Sequence, residues 1–365
     1  MKTKIKCTYR FTLVLVLLLV VGGCASAPMA VPPTAMPIPP TPTAVPPTSP
    51  SSPTTKPTLA PNVSAILTAV APQGQSSAPR VLPQATIHVG NLDRTYLYYV
   101  PANLPRNAPL LFAFHGSGQN GEAMRDFTGF GFESLADQYG FIVVYPNGYQ
   151  NSWNACRKYS ASPAKTLNID DVGFVRELVA RFHTDYGINT SRVFAMGYSA
   201  GGQMAYRLAF ELSDEITAIA AVAANLPTED DFVCRALGKP IPVLLMHGTR
   251  DPIGAYNGGK TLVGGGTVRS TRESADYFAK LNGQVNPPKT IRLPHQDASD
   301  PTSVDRTVWN DAGKPEVVLI TINEGGHVVP QSKYIPSQSS YGRTTRDLDG
   351  PAEIWDFFSR QQPLK

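Results

Sequence analysis

The sequence Gly-Tyr-Ser-Ala-Gly-Gly at residues 197–202 lies between a predicted strand, residues 192–196, and a predicted helix. A strand can turn directly into a helix only where flanking side chains do not clash, and Gly197 and Gly201 remove those clashes. The turn lifts Ser199 above the sheet at the start of the helix, where the helix dipole and free N–H groups stabilise negative charge. The pattern therefore predicts a nucleophile elbow with Ser199 as the nucleophile. The alternative is a turn rich in glycine and serine that serves only the backbone.

Six segments in the body of the chain have the length and composition of core strands, and two of them, residues 109–114 and 141–145, are continuous apolar runs as expected for strands buried on both faces. Helical spacing of apolar residues follows several of them, and a last amphipathic helix includes Trp355 and Phe358. Strands that alternate with helices predict an α/β fold with a mostly parallel sheet and helices on both faces. We expect residues 85–365 to form this single domain, with strands at residues 109–114, 141–145, 192–196, 216–222, 241–246 and 317–322.

The first 84 residues differ in composition from the rest of the chain. A basic leader, residues 2–10, precedes an apolar core of eleven residues, 11–21, mostly Leu and Val, which falls short of the roughly 20 that a membrane-spanning helix needs. This is the length of a signal peptide, and Cys24 after two glycines is typical of a bacterial lipoprotein signal. We expect cleavage after residue 23, lipidation of Cys24, and a flexible tether rich in Pro, Thr and Ser over residues 24–84. The alternative is an ordinary secretory signal.

The charge balance of the body excludes one class of function. The 365 residues carry a formal net charge of +4 at pH 7, but no acidic residue precedes Asp93. Six of the 32 basic residues lie before that point, which leaves 26 basic against 28 acidic residues. A body this close to neutral lacks the surplus of cations with which a nucleic-acid-binding protein neutralises phosphate. No apolar run is long enough to span a bilayer, which also excludes a polytopic membrane protein.

A serine hydroxyl needs a base to take its proton, and His327 best meets that need among the six histidines. It ends the sequence Glu-Gly-Gly-His just beyond the last buried strand, and it follows Ser199 in the chain. His295 is the weaker alternative because no strand directly precedes it. The other four histidines are expected to shape loops, in the case of His115 and His247, or to be structural, in the case of His88 and His183.

Asp251 is the candidate for the acid that orients the base. It follows the predicted strand at residues 241–246 and lies between Ser199 and His327 in the chain, the order found in nucleophile-elbow proteins. An aspartate before a proline also commonly caps its own turn, and that alternative stays open. The weaker rivals are Asp276, Asp297, Asp300 and Asp305.

Two backbone N–H groups are needed to stabilise the oxyanion of an acyl-transfer intermediate. We expect one from Ala200 and the other from Gly116 or Ser117, in the loop after the strand at residues 109–114. The candidates for binding substrate are Trp153, Asn154 and Tyr198. For the tryptophan, the alternative is packing beneath its loop.

Each of two further pairs of residues has two alternative interpretations. Cys156 and Cys234 remain after processing, and they either form a disulfide in an oxidising compartment or stay as two buried thiols. Asp170 and Asp171 begin a predicted helix, where carboxylates cap free N–H groups. We expect capping rather than a metal site, because no histidine or cysteine lies nearby in the sequence.

In combination, these motifs resemble the secreted esterases of carbohydrate esterase family one and the related polyhydroxybutyrate depolymerases, which include feruloyl and acetyl xylan esterases. The resemblance implies an α/β-hydrolase fold, a serine esterase mechanism, no metal and no cofactor. It also favours a disulfide between Cys156 and Cys234, because relatives often carry cysteines near both positions. It covers roughly residues 87–359 and rests on the sequences RTY (94–96), PLL (109–111), HGSGQ (115–119), SWN (152–154), DDVGF (170–174), GYSAGG (197–202), HGTRDP (247–252), GGH (325–327) and IWDFF (354–358).

The chain departs from this family at two points. Val328, Val329 and Pro330 follow the histidine where relatives usually carry an aromatic residue, which weakens the prediction of an aromatic-lined acyl pocket. Ser117 stands where many relatives have a cysteine.

The sequence therefore predicts an extracytoplasmic serine esterase, held to a bacterial membrane by its lipid anchor or secreted. Its expected substrates are acetyl or feruloyl esters of plant polysaccharide. Three alternatives stay open: a depolymerase of polyhydroxybutyrate or its oligomers, a peptidase on the same fold, and a surface binding protein that has lost turnover.

Overall fold

A computed structural model of the protein describes residues 80–235, 239–262 and 265–362. The predicted signal peptide, Cys24 and residues 24–79 of the predicted tether lie outside the described residues. The strands are β1 (Gln84–Val89), β2 (Leu92–Tyr99), β3 (Leu110–Phe114), β4 (Ile142–Pro146), β5 (Val193–Tyr198), β6 (Ala218–Val222), β7 (Val243–Gly248), β8 (Gly259–Lys260), β9 (Thr267–Val268), β10 (Lys289–Arg292), β11 (Ser303–Trp309) and β12 (Val317–Asn323). The helices are α1 (Gly121–Phe127), α2 (Gly131–Tyr139), α3 (Pro163–Thr166), α4 (Asp171–Tyr186), α5 (Ala200–Glu211), α6 (Thr271–Leu281), α7 (Gln338–Tyr341) and α8 (Gly350–Arg360). Within the described ranges, none of these helices is long and apolar enough to cross a membrane.

Ten of the strands form one sheet in the order β1-β2-β4-β3-β5-β6-β7-β12-β11-β10. The six central strands, from β4 to β12, run parallel to one another. The outer strands on both sides pair antiparallel. This arrangement confirms the predicted α/β class, and it brings the carboxyl ends of the six central strands to one edge of the sheet.

Helices cover both faces of the sheet because the central strands are apolar on both sides. Along β3, Leu110, Phe112 and Phe114 pack into one core, while Leu111 and Ala113 pack into the other. Helices α4, α5 and α6 close the first core, and α1, α2 and α8 close the second. Burial of an aromatic or large aliphatic side chain stabilises the fold by about 1.5–3 kcal/mol, so these two layers hold the strand ends in fixed positions.

The start of α4 is held by two aspartates with different partners. The Asp170 side chain accepts from the N–H of Gly173 at 2.7 Å, as expected for an N-cap. Asp171 instead forms a buried ion pair with Arg94 of β2, with 2.7 Å between Oδ1 and Nη2. Its other oxygen accepts from the N–H of Asn154 at 2.7 Å. Asp171 thus ties β2 and the loop that carries Trp153 to the helix.

Candidate active site

Ser199 lies at the sharp turn between β5 and α5. Its φ of 55° and ψ of −116° are rarely adopted by a residue other than glycine, and such a conformation costs about 1–3 kcal/mol. A Cβ at position 197 would collide with the backbone of Gly201, and one at position 201 would collide with the backbone of Phe114. The glycines on either side of Ser199 are therefore required by the close approach of three chain segments.

His327 lies in the loop after β12, and its backbone is held from two sides. Its N–H donates to the carbonyl of Tyr341 at 2.6 Å, and its carbonyl accepts from the Tyr198 hydroxyl at 2.8 Å. Burial raises the pKa of Tyr198 well above its ordinary value, so that hydroxyl stays protonated and donates. The Nδ1 of His327 is 2.6 Å from Oδ2 of Asp251, which places the proton on Nδ1 and leaves Nε2 able to accept one.

The carboxylate of Asp251 is buried and has four hydrogen-bond donors. Oδ1 accepts from the N–H groups of Ile253 at 2.8 Å and Gly254 at 2.7 Å. Oδ2 accepts from His327 and, at 2.9 Å, from Nε2 of His247. Burial by itself raises the pKa of Asp251, but the hydrogen bonds from the two histidines outweigh it and hold that pKa well below its usual range. Asp251 is therefore ionised at neutral pH.

The N–H groups near Ser199 distinguish between the two candidates for the second oxyanion donor. Ala200 is the first residue of α5, so its N–H has no acceptor within the helix. The N–H of Gly116 donates to Oε1 of Gln119 at 2.9 Å and is already engaged. The N–H of Ser117 donates to no acceptor among the described residues, so Ser117 fits the role better than Gly116.

His115 holds the loop that carries these N–H groups. Its Nε2 accepts from the N–H of Gly148 at 2.9 Å, so its Nδ1 carries the proton and donates to the carbonyl of Gly116 at 2.8 Å. Its own carbonyl accepts from Nε1 of Trp153 at 2.9 Å. Burial lowers the pKa of His115 to about 4, so the ring is neutral under ordinary conditions. This is the loop-shaping role expected from the sequence.

Ser199 and His327 line the same cleft, whose volume is about 730 Å³. Ser117, Ala200 and Tyr198 line it as well. Among the described residues, neither the Ser199 hydroxyl nor the Nε2 atom of His327 makes a hydrogen bond. Hydrogen bonds of this kind are often loose in a free enzyme and tighten when substrate is bound. The arrangement can therefore supply a nucleophile, a base, an anionic partner for the base and two N–H donors in one place.

The family of the chain follows from comparison with known proteins. The family model described as esterase PHB depolymerase matches residues 94–237. A protein of Nocardia uniformis subsp. tsuyamanensis with the name "Putative esterase NocK" is 31% identical over 267 residues, which cover 70% of this chain and 75% of that protein. The chain belongs to this esterase family. Feruloyl esterase B of Piromyces equi is 30% identical over 231 residues, but these cover only 40% of that protein.

A solved member of the fold agrees with the sheet described above. The acetyl xylan esterase from Aspergillus awamori has a TM-score of 0.51 and 18% identity, and the match covers 76% of this chain and 99% of that one. This likeness supports the α/β-hydrolase fold. The resemblance read from the motifs is thus confirmed at the level of family and fold.

Within this esterase fold, the three expected substrate-binding residues occupy different environments. Trp153 lines the cleft but is 3% exposed, and its ring packs 5.2 Å from that of Phe114, so it supports the loop as well as the wall. Tyr198 also lines the cleft and is hydrogen-bonded to the backbone of His327. Asn154 is 1% exposed, is not among the cleft-lining residues, and donates to Asn168 and Ile169. Its position favours a structural role rather than the expected contact with substrate.

The wall of the esterase cleft beyond Trp153 is held by the expected disulfide. Cys156 and Cys234 are joined, with their Cα atoms 4.9 Å apart, which confirms the pairing. Arg157 follows directly, lines the cleft, and lies 3.8 Å from the buried carboxylate of Asp231. The disulfide therefore fixes a wall that carries a charged group.

Two polar residues of the cleft were missed by the sequence analysis. Gln203, which follows Ala200 by three residues on α5, donates to the carbonyl of Asn225 at 2.5 Å, and its Oε1 has no partner among the described residues. Asn225 follows β6 and donates to the carbonyl of Ala255 at 3.0 Å. The spacing of Gln203 from Ala200 was a helical signal that could have placed both residues on one face.

Proposed function

We propose that the protein is a serine esterase in which Ser199 is the nucleophile, His327 the general base and Asp251 its orienting acid. The observation that carries this proposal is the 2.6 Å hydrogen bond from Nδ1 of His327 to Asp251, on an imidazole that lines the same cleft as Ser199. That bond fixes the tautomer in which Nε2 accepts the serine proton. The elbow conformation of Ser199 and the free N–H groups beside it support the same assignment.

In the first half of the reaction, Nε2 of His327 takes the hydroxyl proton while the Ser199 oxygen attacks the ester carbonyl. The carbonyl oxygen becomes an oxyanion and accepts hydrogen bonds from the N–H groups of Ala200 and Ser117. Removal of one such donor costs about 3 kcal/mol in other hydrolases. The imidazolium of His327, stabilised by Asp251, then gives its proton to the departing alcohol, which leaves an acyl group on the serine.

In the second half, water takes the place of the alcohol. Nε2 of His327 removes a proton from the water, which attacks the acyl carbonyl, and the same N–H groups stabilise the second oxyanion. The serine oxygen then leaves and recovers its proton from His327. The products are a carboxylic acid and an alcohol, and this chain needs no group beyond its own side chains and backbone for either step.

The proposed substrates are acetyl or feruloyl esters of plant polysaccharide. The similarity to a feruloyl esterase of Piromyces equi and to a bifunctional acetylxylan esterase and xylanase of Neocallimastix patriciarum supports this class. The cleft is open and carries the polar groups of Arg157, Gln203 and Asn225, which suit a substrate rich in hydroxyls. We also propose that Cys24 anchors the protein to a bacterial membrane from the outside, on the strength of the leader sequence alone.

An ester panel tests the reaction and the substrate class together. We expect hydrolysis of p-nitrophenyl acetate, and higher kcat/KM on acetyl or feruloyl esters of xylan fragments than on hydroxybutyrate oligomers. Higher kcat/KM on the hydroxybutyrate oligomers would instead favour the depolymerase. A fluorophosphonate should label the wild type but not Ser199→Ala, and aminoacyl anilides should not be cleaved. Absence of labelling in the wild type would favour the binding protein, and cleavage of the anilides would favour the peptidase.

A second experiment tests the anchor. Cys24→Ser should move the protein from the membrane fraction to the soluble fraction of cells that process lipoproteins. Retention of Cys24→Ser in the membrane fraction would contradict lipidation at this residue and leave the esterase proposal untouched.

A further inference from the structure

His247 is a buried imidazole that the reaction above does not use. It is the penultimate residue of β7 and is 2% exposed. Its Nε2 lies 2.9 Å from Oδ2 of Asp251 and 2.8 Å from the carbonyl oxygen of Gly254. A carbonyl oxygen can only accept, so Nε2 carries the proton and donates. The same carboxylate oxygen accepts from Nδ1 of His327 at 2.6 Å, so Asp251 holds two imidazoles on one oxygen.

The opposite side of the His247 ring is also occupied. Nδ1 lies 2.8 Å from the Thr271 hydroxyl and 3.2 Å from Oδ1 of Asn225. The same hydroxyl lies 2.8 Å from Oδ1 of Asn225 and 3.1 Å from the carbonyl oxygen of Tyr256, so Thr271 joins the Nδ1 side of the ring to two neighbouring segments. Contacts at both nitrogens fix the orientation of the ring, and with it the direction in which Nε2 donates.

His247 connects the carboxylate of Asp251 to the sheet. The N–H groups of Ile253 and Gly254 belong to the same turn as Asp251, and His327 belongs to the loop after β12. Among the described partners of this carboxylate, His247 alone lies in a strand, where it pairs with Thr321 of β12. A contact from a strand positions a group more exactly than contacts from loops that can move together.

We propose that His247 is a positioning residue for the proposed esterase reaction, holding Asp251 against the sheet and sharing its negative charge with His327. This inference rests on the proposed function of Ser199, His327 and Asp251. A second donor on Oδ2 takes up part of the charge that would otherwise stabilise the protonated form of His327. His247 therefore acts on His327 through the carboxylate oxygen that the two rings share.

The other ionisable groups around this cluster do not account for the same effect. Tyr198 lies against His327, with 5.0 Å between ring centroids, and burial keeps its hydroxyl protonated. Arg250 is next to Asp251 in the chain but pairs with Glu324 at the surface at 3.2 Å. Among the other described groups, the ring of Tyr256 packs 5.8 Å from that of His247, and Tyr341 and Arg157 line the cleft.

Kinetics of three variants over a range of pH test the proposal. In His247→Leu, which removes the donor, we expect kcat on p-nitrophenyl acetate to fall about 10- to 100-fold with little change in KM. The acid limb of kcat/KM should also move to higher pH by about half a unit, since His327 then has the charge of Asp251 to itself. His247→Gln, whose amide N–H can reach the same oxygen, should restore most of kcat and the original acid limb.

The matched control is His88→Leu, because His88 is also a histidine hydrogen-bonded to an aspartate, Asp93, at 2.9 Å, but it is exposed on β1. Its kinetics should equal those of the wild type. An unchanged kcat and acid limb in His247→Leu would overturn the proposal. So would a loss of kcat that glutamine does not rescue and that leaves the acid limb in place, because a purely structural role predicts that result.

A spectroscopic measurement keeps the proposal testable if His247→Leu does not fold. Nitrogen-15 NMR of the histidine side chains in the wild type reports which ring nitrogen carries the proton. A proton on Nε2 of His247 supports the proposal, and a proton on Nδ1 alone overturns it, since Nε2 could then not donate to Asp251. This measurement does not depend on turnover, so a wild type without esterase activity would count against the proposed function and not against the contact.

Discussion

Replacing Asp251 by asparagine tests the acid of the site with almost no change in shape. The amide keeps one acceptor oxygen but presents two N–H donors where the other oxygen was. In the structure, one side of the carboxylate faces the N–H groups of Ile253 and Gly254, and the other faces His247 and His327. Whichever way the amide turns, its NH₂ group therefore meets two donors.

The expected fall in kcat follows from the tautomer of His327, the proposed base. With the NH₂ group on the side of His327, the imidazole keeps a hydrogen bond only if Nδ1 accepts, which moves its proton to Nε2 and removes the base. An imidazolium at this position would also lose its anionic partner. We therefore expect kcat of Asp251→Asn to fall by about 10³- to 10⁴-fold, equivalent to about 4–5.5 kcal/mol of transition-state stabilisation.

The assay is hydrolysis of p-nitrophenyl acetate, with circular dichroism to show that the variant is folded. Asp276→Asn is the matched control, because Asp276 is exposed on α6 and, within the part of the chain that the structure describes, its ion pair is with Arg272 at 2.9 Å. Its kcat should match that of the wild type. A kcat for Asp251→Asn within about tenfold of the wild type, in a folded protein, would refute the assignment of Asp251.

Three further predictions concern stability. Burial lowers the pKa of His115 to about 4 in the folded protein, whereas the pKa of a histidine in the unfolded chain is near 6.5. The free energy of unfolding therefore does not depend on this group above about pH 6.5 and decreases as the pH falls towards 4. Urea titrations should show a loss of roughly 3 kcal/mol over that range in the wild type and not in His115→Gln. Replacing Cys156 and Cys234 by serine opens a link across 78 residues and should lower the free energy of unfolding by about 4 kcal/mol, and an unchanged urea midpoint would contradict this. Arg94→Met leaves Asp171 buried without its cation and should cost about 3–5 kcal/mol, whereas a smaller loss would show that another group compensates the charge.

The centre of the fold could be predicted because burial on both faces leaves a local signal in the sequence. Residues 109–114 and 192–196 were expected as strands, and the structure has Leu110–Phe114 and Val193–Tyr198. The edge strand β10 has no such signal, since it is exposed at every position and carries Lys289 and Arg292. β10 is a strand because it pairs with β11, and the sequence of β10 alone does not reveal that pairing.

The contacts of the site were predictable only as far as they follow from strand order. Ser199, Asp251 and His327 could be placed at one edge because each comes just after a predicted parallel strand. The second imidazole on Asp251 could not, because it depends on how the turn after β7 folds back on the strand. For the same reason Asn154 was expected in the cleft, although the turn before α4 draws it into the interior beside Asp171.

The position of the cleft is related to the strand that separates β5 from β7. Ser199 follows β5 and Asp251 follows β7, so β6 separates the strands that carry the proposed nucleophile and its proposed acid. The chain leaves β6 through Ala223 and Ala224, which both line the cleft, and Ala223 has a φ of 52°. A β-branched residue would be strained at such a φ, and a larger side chain would take up the space beside Ser199. Small residues after β6 therefore leave room beside Ser199, and that room does not depend on an aromatic residue after His327.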